Sequence, residues 1–403
     1  MIDEDAPSAH RAPVTSNNGH SHAPATGEAA SPNELILITG AGGSIGSSLA
    51  KHLVGNKLDF ANTDQHVGAR HRRARALQDV SRTVLLLDHS EQNLYEINSE
   101  LSGAIAESSQ QIIPILGDVN DSQLLAEIFE KFRPVKIFHA AAFKHVPLME
   151  ENPIAVIRNN ILGTWTLATT AAKYRARQLT MISTDKAANP RSIMGAAKRV
   201  AEQILTRLDT PATRMRSIRL GNVLGSTGSV VPLFQRQIAN GGPVTVTHPE
   251  AHRYFLSLDE ATNLIFAAAS LEDGATLFVP DLEPPIKILD LAKNLIGESQ
   301  RAAASEGKKI EIVFTGLRPG DKLSESLLSS SESAEPTTHL KLRRITGPSS
   351  KSVDSAITFV SEKVRSRDLP ALINAVCSLV PDYQPSDLVS AQISTQLSAT
   401  AKA

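Results

Sequence analysis

The run Glu34-Leu-Ile-Leu-Ile-Thr39 stops on Gly40-Ala-Gly-Gly43-Ser-Ile-Gly46 and passes at once into Ser47-Ser-Leu-Ala-Lys-His-Leu53. An apolar segment of strand length, a glycine-rich turn and a segment of helical spacing leave few architectures open. Such a turn approaches a pyrophosphate at the positive end of a helix, where a Cβ would keep the backbone away. A glycine triplet alone is a weak signal, and the strand before it and helix after it are what strengthen it. The spacing Gly40-x-x-Gly43-x-x-Gly46 differs from the simple G-x-G-x-x-G.

Further short apolar runs follow at 83–87, 111–116, 135–138, 179–183 and 215–220, and segments of helical spacing such as Leu124, Ile128 and Phe132 lie between most of them. Strands alternating with helices predict an α/β fold, a Rossmann-like doubly wound parallel sheet covered on both faces. This dinucleotide-binding domain is expected over 34–221. From 222 to 328 Pro, Gly and His are interleaved among short elements, which predicts a smaller C-terminal substrate-binding lobe. Residues 329–338 read as a polar linker and 353–379 as helical, within an extension running to 403. Residues 1–33 lack hydrophobic periodicity and read as a disordered tail. His10, His20 and His22 within that tail are read as incidental, and no metal site is expected.

A net charge of -1 over 403 residues provides no general field to collect nucleic acid or an anionic membrane, so a polyanionic ligand must be held locally. With Cys377 as its one cysteine the chain forms no internal disulfide, and a cytoplasmic location is the expectation. No apolar stretch reaches the ~18 residues of a membrane span, so a soluble protein without an intrinsic span is expected.

An acidic residue gripping the adenosine ribose belongs ~20 residues after the glycines, at the end of the second strand. Asp88 stands there if 56–80 is an insertion between the first helix and the second strand. Arg70, Arg72, Arg73 and Arg75 in that insertion are read as a solvated loop, with contact to a phosphorylated partner as the alternative. A carboxylate at Asp88 favours NAD, because it accepts a hydrogen bond from a free 2′-hydroxyl and repels a 2′-phosphate; NADP stays open, since His89 or the inserted arginines would weaken that preference.

The run Met181-Ile-Ser-Thr184-Asp185-Lys186 places a hydroxyl, a carboxylate and an amine at the carboxyl end of a core strand, where doubly wound sheets hold their ligands. Neighbouring opposite charges tune one another for acid and base work, although a surface ion pair reads the same way. Met194 and Lys198, four apart, share one face of the next helix. Short-chain reductases carry Tyr-x-x-x-Lys there; methionine shuttles no proton, but Lys198 still suits the nicotinamide ribose.

With these residues the chain resembles the extended short-chain dehydrogenase/reductase family of polysaccharide-biosynthesis proteins, typified by UDP-N-acetylglucosamine 4,6-dehydratases. The match covers 35–328 and rests also on Leu87-Asp-His-Ser-Glu91, His139-Ala-Ala-Ala-Phe-Lys-His145, Gly221-Asn-Val-Leu-Gly-Ser226, Arg253-Tyr-Phe255 and Leu317-Arg-Pro-Gly-Asp-Lys-Leu323. Thr-Asp-Lys with Met at the tyrosine position is similar to a subgroup whose members usually carry an N-terminal membrane region. Phe143, Asp321 and Ser324 depart from the family pattern. The resemblance implies oxidation at C4 of a UDP-sugar, loss of water across C5 and C6, and return of the hydride to C6. Thr184 would hold the C4 oxygen, Lys186 would be the C5 base, given neighbours or burial that lower its pKa, and Asp185 would protonate the departing hydroxyl. The implied cofactor contacts are Gly40, Gly43, Ser44, Ile45, Gly46, Asp88, Asp118, Val119, Ala140, Ala141, Asn160 and Lys198. The implied substrate contacts are Lys144, Met194, Asn222, Arg253 and Arg318. A homodimer through helices beside the active site is expected. The rival readings are a UDP-sugar 4-epimerase and a nicotinamide-binding regulator without catalysis.

Overall fold

Side chains along β1 (Glu34–Thr39) alternate between two buried faces, Ile36 and Ile38 on one side and Leu37 on the other. A strand buried on both faces reads as a continuous apolar run, as β2 (Arg82–Asp88) also does. With β3 (Gln111–Leu116), β4 (Lys136–His139), β5 (Gln178–Thr184) and β6 (Arg214–Leu220) these strands run parallel. The chain then makes β7 (Asn222–Val223), β8 (Val244–Val246), β9 (His252–Arg253) and β10 (Phe255–Leu256), and returns to the sheet as β11 (Leu277–Pro280). It leaves again for β12 (Ile286–Lys287) and β13 (Ile312–Phe314) and ends in the sheet as β14 (Ser333–Pro336) and β15 (Leu342–Thr346). The order across the nine-stranded sheet is β14-β15-β11-β6-β5-β4-β1-β2-β3. The last two elements, β15 and β14, are antiparallel. This is the expected α/β class with a large parallel sheet.

This computed structural model describes residues 34–55, 82–105, 110–272, 274–302, 310–347 and 353–401. The tail 1–33, with its histidines, and the insertion 56–80, with its arginines, lie outside the described residues.

Helices Ser44–Val54, Glu91–Ile105 and Leu258–Ser270 cover one face of the sheet, and Ser122–Phe132, Thr164–Lys173 and Ile193–Leu208 the other. A third apolar cluster, with Phe234, Val244 and Ile288, belongs to the region expected as the second lobe. One expectation needs correction. The run 329–338 is not a linker: it includes β14, the outermost strand on its side of the main sheet, so the chain crosses back over the boundary expected at 221 and 328. Its polar sequence suits an outermost strand, whose free edge is kept from pairing with other chains by polar and charged side chains. Helices Asp354–Ser366 and Leu369–Leu379 bury Ile357, Val360, Leu372 and Val376 in the same cluster as Ala197, Val200 and Ala201 of helix Ile193–Leu208. Helix Ile193–Leu208 is thus packed against the chain's own C-terminal part.

Candidate active site

Strand order reverses between β1 and β4, which opens a crevice beyond their carboxyl ends. The backbone leaves β1 through Gly40 at φ +68°, and a Cβ there would lie 2.6 Å from Ala141 N. A Cβ on Gly46 would lie 2.0 Å from Gly40 O. Glycine is therefore required twice, once by handedness and contact and once to let the helix start against the turn. Helix Ser44–Val54 begins after Gly43 with no side-chain cap, so its first N–H groups face the crevice. Asp88, 6% exposed, closes β2. Its Oδ2 accepts Gly42 N–H at 2.9 Å and its Oδ1 accepts Ser90 N–H at 2.9 Å. Gly40, Gly43, Asp88, Asp118, Val119, Ala140 and Ala141, all expected at the cofactor, line one cavity of about 170 Å³.

Other expected cofactor contacts are placed differently. Ser44 Oγ accepts Thr227 N–H at 3.1 Å, tying the helix start to the loop after β7. Ile45 packs against the core. Asn160 is buried and its amide is spent on the backbone of Phe143, accepting from N at 2.9 Å and donating to O at 3.0 Å, so it braces the Ala140–Phe143 turn from beneath. Lys198 is buried on helix Ile193–Leu208, where burial outweighs the Glu202 carboxylate and lowers its pKa to about 8. Beside it His139, which carries no role in the sequence reading, has its pKa lowered to about 3 by burial and by the Lys198 charge. Its Nδ1 lies 2.7 Å from Thr39 Oγ1 and its Nε2 3.0 Å from Thr164 Oγ1. The Thr164 hydroxyl donates to Asn160 O at 2.8 Å, so it accepts from His139, and the neutral ring carries its proton on Nε2.

The catalytic candidates meet where β5 ends. Thr184 caps a single 3-10 turn, Asp185–Ala187, and the following helix begins at Ile193 behind Ser192, whose Oγ accepts Gly195 N–H at 3.1 Å. A Cβ on Gly195 would lie 2.3 Å from Lys186 O, so glycine lets this helix seat against the turn. Asp185, fully buried, accepts the Thr184 hydroxyl and the Lys186 ammonium through the same Oδ1, each at 2.9 Å. Its Oδ2 is buried and has no hydrogen-bond partner among the described residues. Lys186 Nζ also donates to Asn222 Oδ1 at 3.2 Å and lies 3.7 Å from Glu325 Oε1.

Burial disfavours the Lys186 ammonium, yet Asp185 and Glu325 outweigh it and raise its pKa above that of free lysine. The lowered pKa expected of a base is therefore absent from this site as it stands. Asn222, expected at the nucleotide, instead partners Lys186. Met194 is 3% exposed within the core cluster, so it offers a sugar little surface. Arg253 caps carbonyls of the late segment, donating to Lys322 O at 2.8 Å and Leu323 O at 3.1 Å. Arg318 is exposed, pairs with Asp321 at 2.9 Å, and lines a cavity of about 730 Å³ that none of Thr184, Asp185 and Lys186 lines. Lys144 is exposed on the loop after β4. Glu325, buried beside Lys186, was missed; its signal was a carboxylate three residues after Lys322, just past the Arg-Pro-Gly run. Among the described residues no group of three or more His, Cys, Asp or Glu is placed to hold a metal ion, and no helix is long and apolar enough to cross a membrane.

A doubly wound sheet with a glycine cradle at its switch point is the Rossmann-type architecture of short-chain dehydrogenases/reductases. The chain belongs to the polysaccharide biosynthesis protein family, which matches residues 70–346. It is 44% identical over 302 residues to a capsular polysaccharide biosynthesis protein CapD of Staphylococcus aureus, covering 74% of this chain and 46% of that one. The chain thus spans about half the length of the first such relatives. A UDP-N-acetylglucosamine 4,6-dehydratase (inverting) of Campylobacter jejuni is 30% identical over 304 residues, covering 74% of this chain and 78% of that one. Among solved structures, the X-ray structure of Pen from Bacillus thuringiensis superposes with a TM-score of 0.66 at 27% identity, over 78% of this chain and 88% of that one.

Proposed function

We propose that the chain is a nucleotide-sugar 4,6-dehydratase acting on a UDP-sugar, UDP-N-acetylglucosamine first among them, with NAD as its cofactor. One observation carries the reading: a buried carboxylate shares a single oxygen with a hydroxyl and an amine, while its second oxygen has no partner among the described residues. Elimination of water needs a base at C5 and an acid at the 6-hydroxyl, and this arrangement supplies both from one proton. Passage of the proton from Lys186 Nζ to Asp185, across 2.9 Å, leaves a neutral amine and a carboxylic acid. The amine takes the C5 proton and the acid gives its proton to the departing hydroxyl, which leaves the Lys186 ammonium beside the Asp185 carboxylate. The ammonium returns that proton to C5 as hydride reaches C6. The proton lost from the C4 hydroxyl on oxidation passes by way of Thr184 to solvent, and solvent recharges the pair with one proton. The Thr184 hydroxyl, now held by Asp185, turns to the C4 oxygen when sugar is bound. Met194 stands where a proton-shuttling tyrosine would serve an epimerase, and the Thr-Asp-Lys group takes over its work.

The residues present fit a dinucleotide. The glycine path at Gly40 and Gly46 leaves no room for a Cβ, Asp88 offers the remaining lone pairs of its carboxylate to a ribose hydroxyl, and Lys198, buried near His139, is the candidate for the nicotinamide ribose. The same carboxylate disfavours a 2′-phosphate, so NAD is preferred to NADP. Bound NAD supplies hydride acceptance at C4 and hydride return at C6.

The test is to incubate the protein with UDP-N-acetylglucosamine, with and without NAD, and follow product mass. A product lighter by one water, lost in Lys186→Ala, is the expected result. Unchanged mass with an inverted C4 centre, or no turnover of any UDP-sugar, overturns the reading.

A further inference from the structure

Lys186 is held from elements far apart in the chain. Asp185 and Thr184 come from its own turn, Asn222 from β7, and Glu325 from the segment that follows Arg318. Arg253 of β9 and Lys322 face the same group of charges. Glu325 is 6% exposed and lies between two amines, 3.7 Å from Lys186 Nζ by Oε1 and 3.1 Å from Lys322 Nζ by Oε2. Lys322 in turn donates to Ala188 O at 2.8 Å, two residues beyond Lys186, so the late segment is fastened to the catalytic turn on both sides of the amine. A carboxylate that only anchored this segment would need Lys322 alone; this one also faces the proposed base.

We propose that Glu325 is a positioning residue of the dehydration, holding the Lys186 amine in line with Asp185 and keeping one proton on the Asp185–Lys186 pair. The inference rests on the dehydratase reading and adds a residue to it. A pair that works with one shared proton fails when it gains a second or loses the first, so its rate is bell-shaped in pH and both limbs belong to the pair. A buried negative charge beside the pair favours every protonated state, and its removal moves both limbs to lower pH. Asp185 and Glu325 raise the Lys186 pKa together, and Arg253 opposes them.

The experiment uses the full chain loaded with NAD, comparing wild type, Glu325→Gln and Lys322→Met. The Lys186 midpoint is read by trace acetylation with acetic anhydride at graded pH and peptide mass spectrometry, a measurement independent of turnover. The rate of water loss from UDP-N-acetylglucosamine is read over the same pH range. Glu325→Gln is expected to lower the Lys186 midpoint and both limbs by about one pH unit, the effect of removing one close carboxylate. Lys322→Met, which strips Glu325 of its counter-charge, is expected to move them the opposite way, a reversal that loosened packing would not produce. An unmoved midpoint in Glu325→Gln, or shifts of the same sign in both variants, overturns the proposal. A lowered midpoint in a protein that dehydrates no UDP-sugar overturns the dehydratase reading and leaves the Glu325–Lys186 coupling standing.

Discussion

Two groups of buried charges stand side by side at the end of β5, and they use the same ingredients to opposite ends. In the first, Arg219 is fully buried and its guanidinium is saturated: it donates to both oxygens of Glu202 at 2.9 and 2.8 Å, to both oxygens of Glu332 at 2.7 and 3.0 Å, and to Leu327 O at 2.9 Å. Arg199 bridges the same two carboxylates and Ser183 donates to Glu202 at 2.6 Å. In the second, two residues past Ser183 in the turn after the strand, Asp185 keeps an oxygen without a partner among the described residues and Lys186 is a point charge between two carboxylates. A planar fork that matches its carboxylates fixes structure, whereas an amine on a flexible stem, facing an unfilled lone pair, leaves room for a proton to move. The saturated group joins helix Ile193–Leu208, β6 and the segment before β14; the unsaturated one is held in place by that frame.

The comparison predicts different failures. Arg219→Leu leaves the buried Glu202 and Glu332 carboxylates to share Arg199 alone and is expected to cost about 3 kcal/mol, read as a fall in the urea midpoint, with NAD binding lost only because the protein unfolds. A midpoint unchanged from wild type would show that the network is not the frame. Asp185→Asn is expected to do the reverse. Lys186 keeps Asn222 and Glu325, so stability falls by only about 1 kcal/mol, while dehydration slows by about 10²- to 10⁴-fold because the acid is gone. Equal losses of stability in the two variants would erase the distinction.

How far each group was legible in the sequence follows from how local it is. The glycine turn, Asp88 and Thr184-Asp185-Lys186 each stand at the end of a strand, and strand periodicity with a contiguous set of reactive groups marks them without knowledge of packing. Asn222 and Glu325 reach Lys186 only because β7 and the segment after Arg318 fold over the sheet, which no local pattern encodes. Arg219 sits in β6 among Arg214 and Arg216, and on composition alone that strand is barely apolar; its partner Glu332 falls in a polar run that reads as linker. Composition misplaced 329–338 because an outermost strand is selected for polarity as a linker is.

The smallest expected effect separates the two groups by pH. Burial would raise the Glu332 carboxyl, but the hydrogen bond and charge of Arg219, with Arg199, overcome it and hold its pKa at about 2, below the ordinary 4.5. A carboxyl depressed in the folded state contributes stability that is present above its ordinary value and lost as pH falls through the folded one. Lys186, raised above the ordinary 10.5, contributes stability that is present below that value and lost as pH rises through the folded one. Thermal midpoints taken from about pH 3 to about pH 11 should therefore fall at the acid end through Glu332 and Glu202 of the saturated group, with a share from Glu325, whose carboxyl is lowered by Lys186 and Lys322, and at the alkaline end through Lys186. Glu332→Gln should weaken the acid decline and leave the alkaline one, and Lys186→Met should flatten the alkaline decline and remove only the Glu325 share of the acid one. If Glu332→Gln altered the alkaline end, the two groups would be one electrostatic unit and the division between frame and site would not hold.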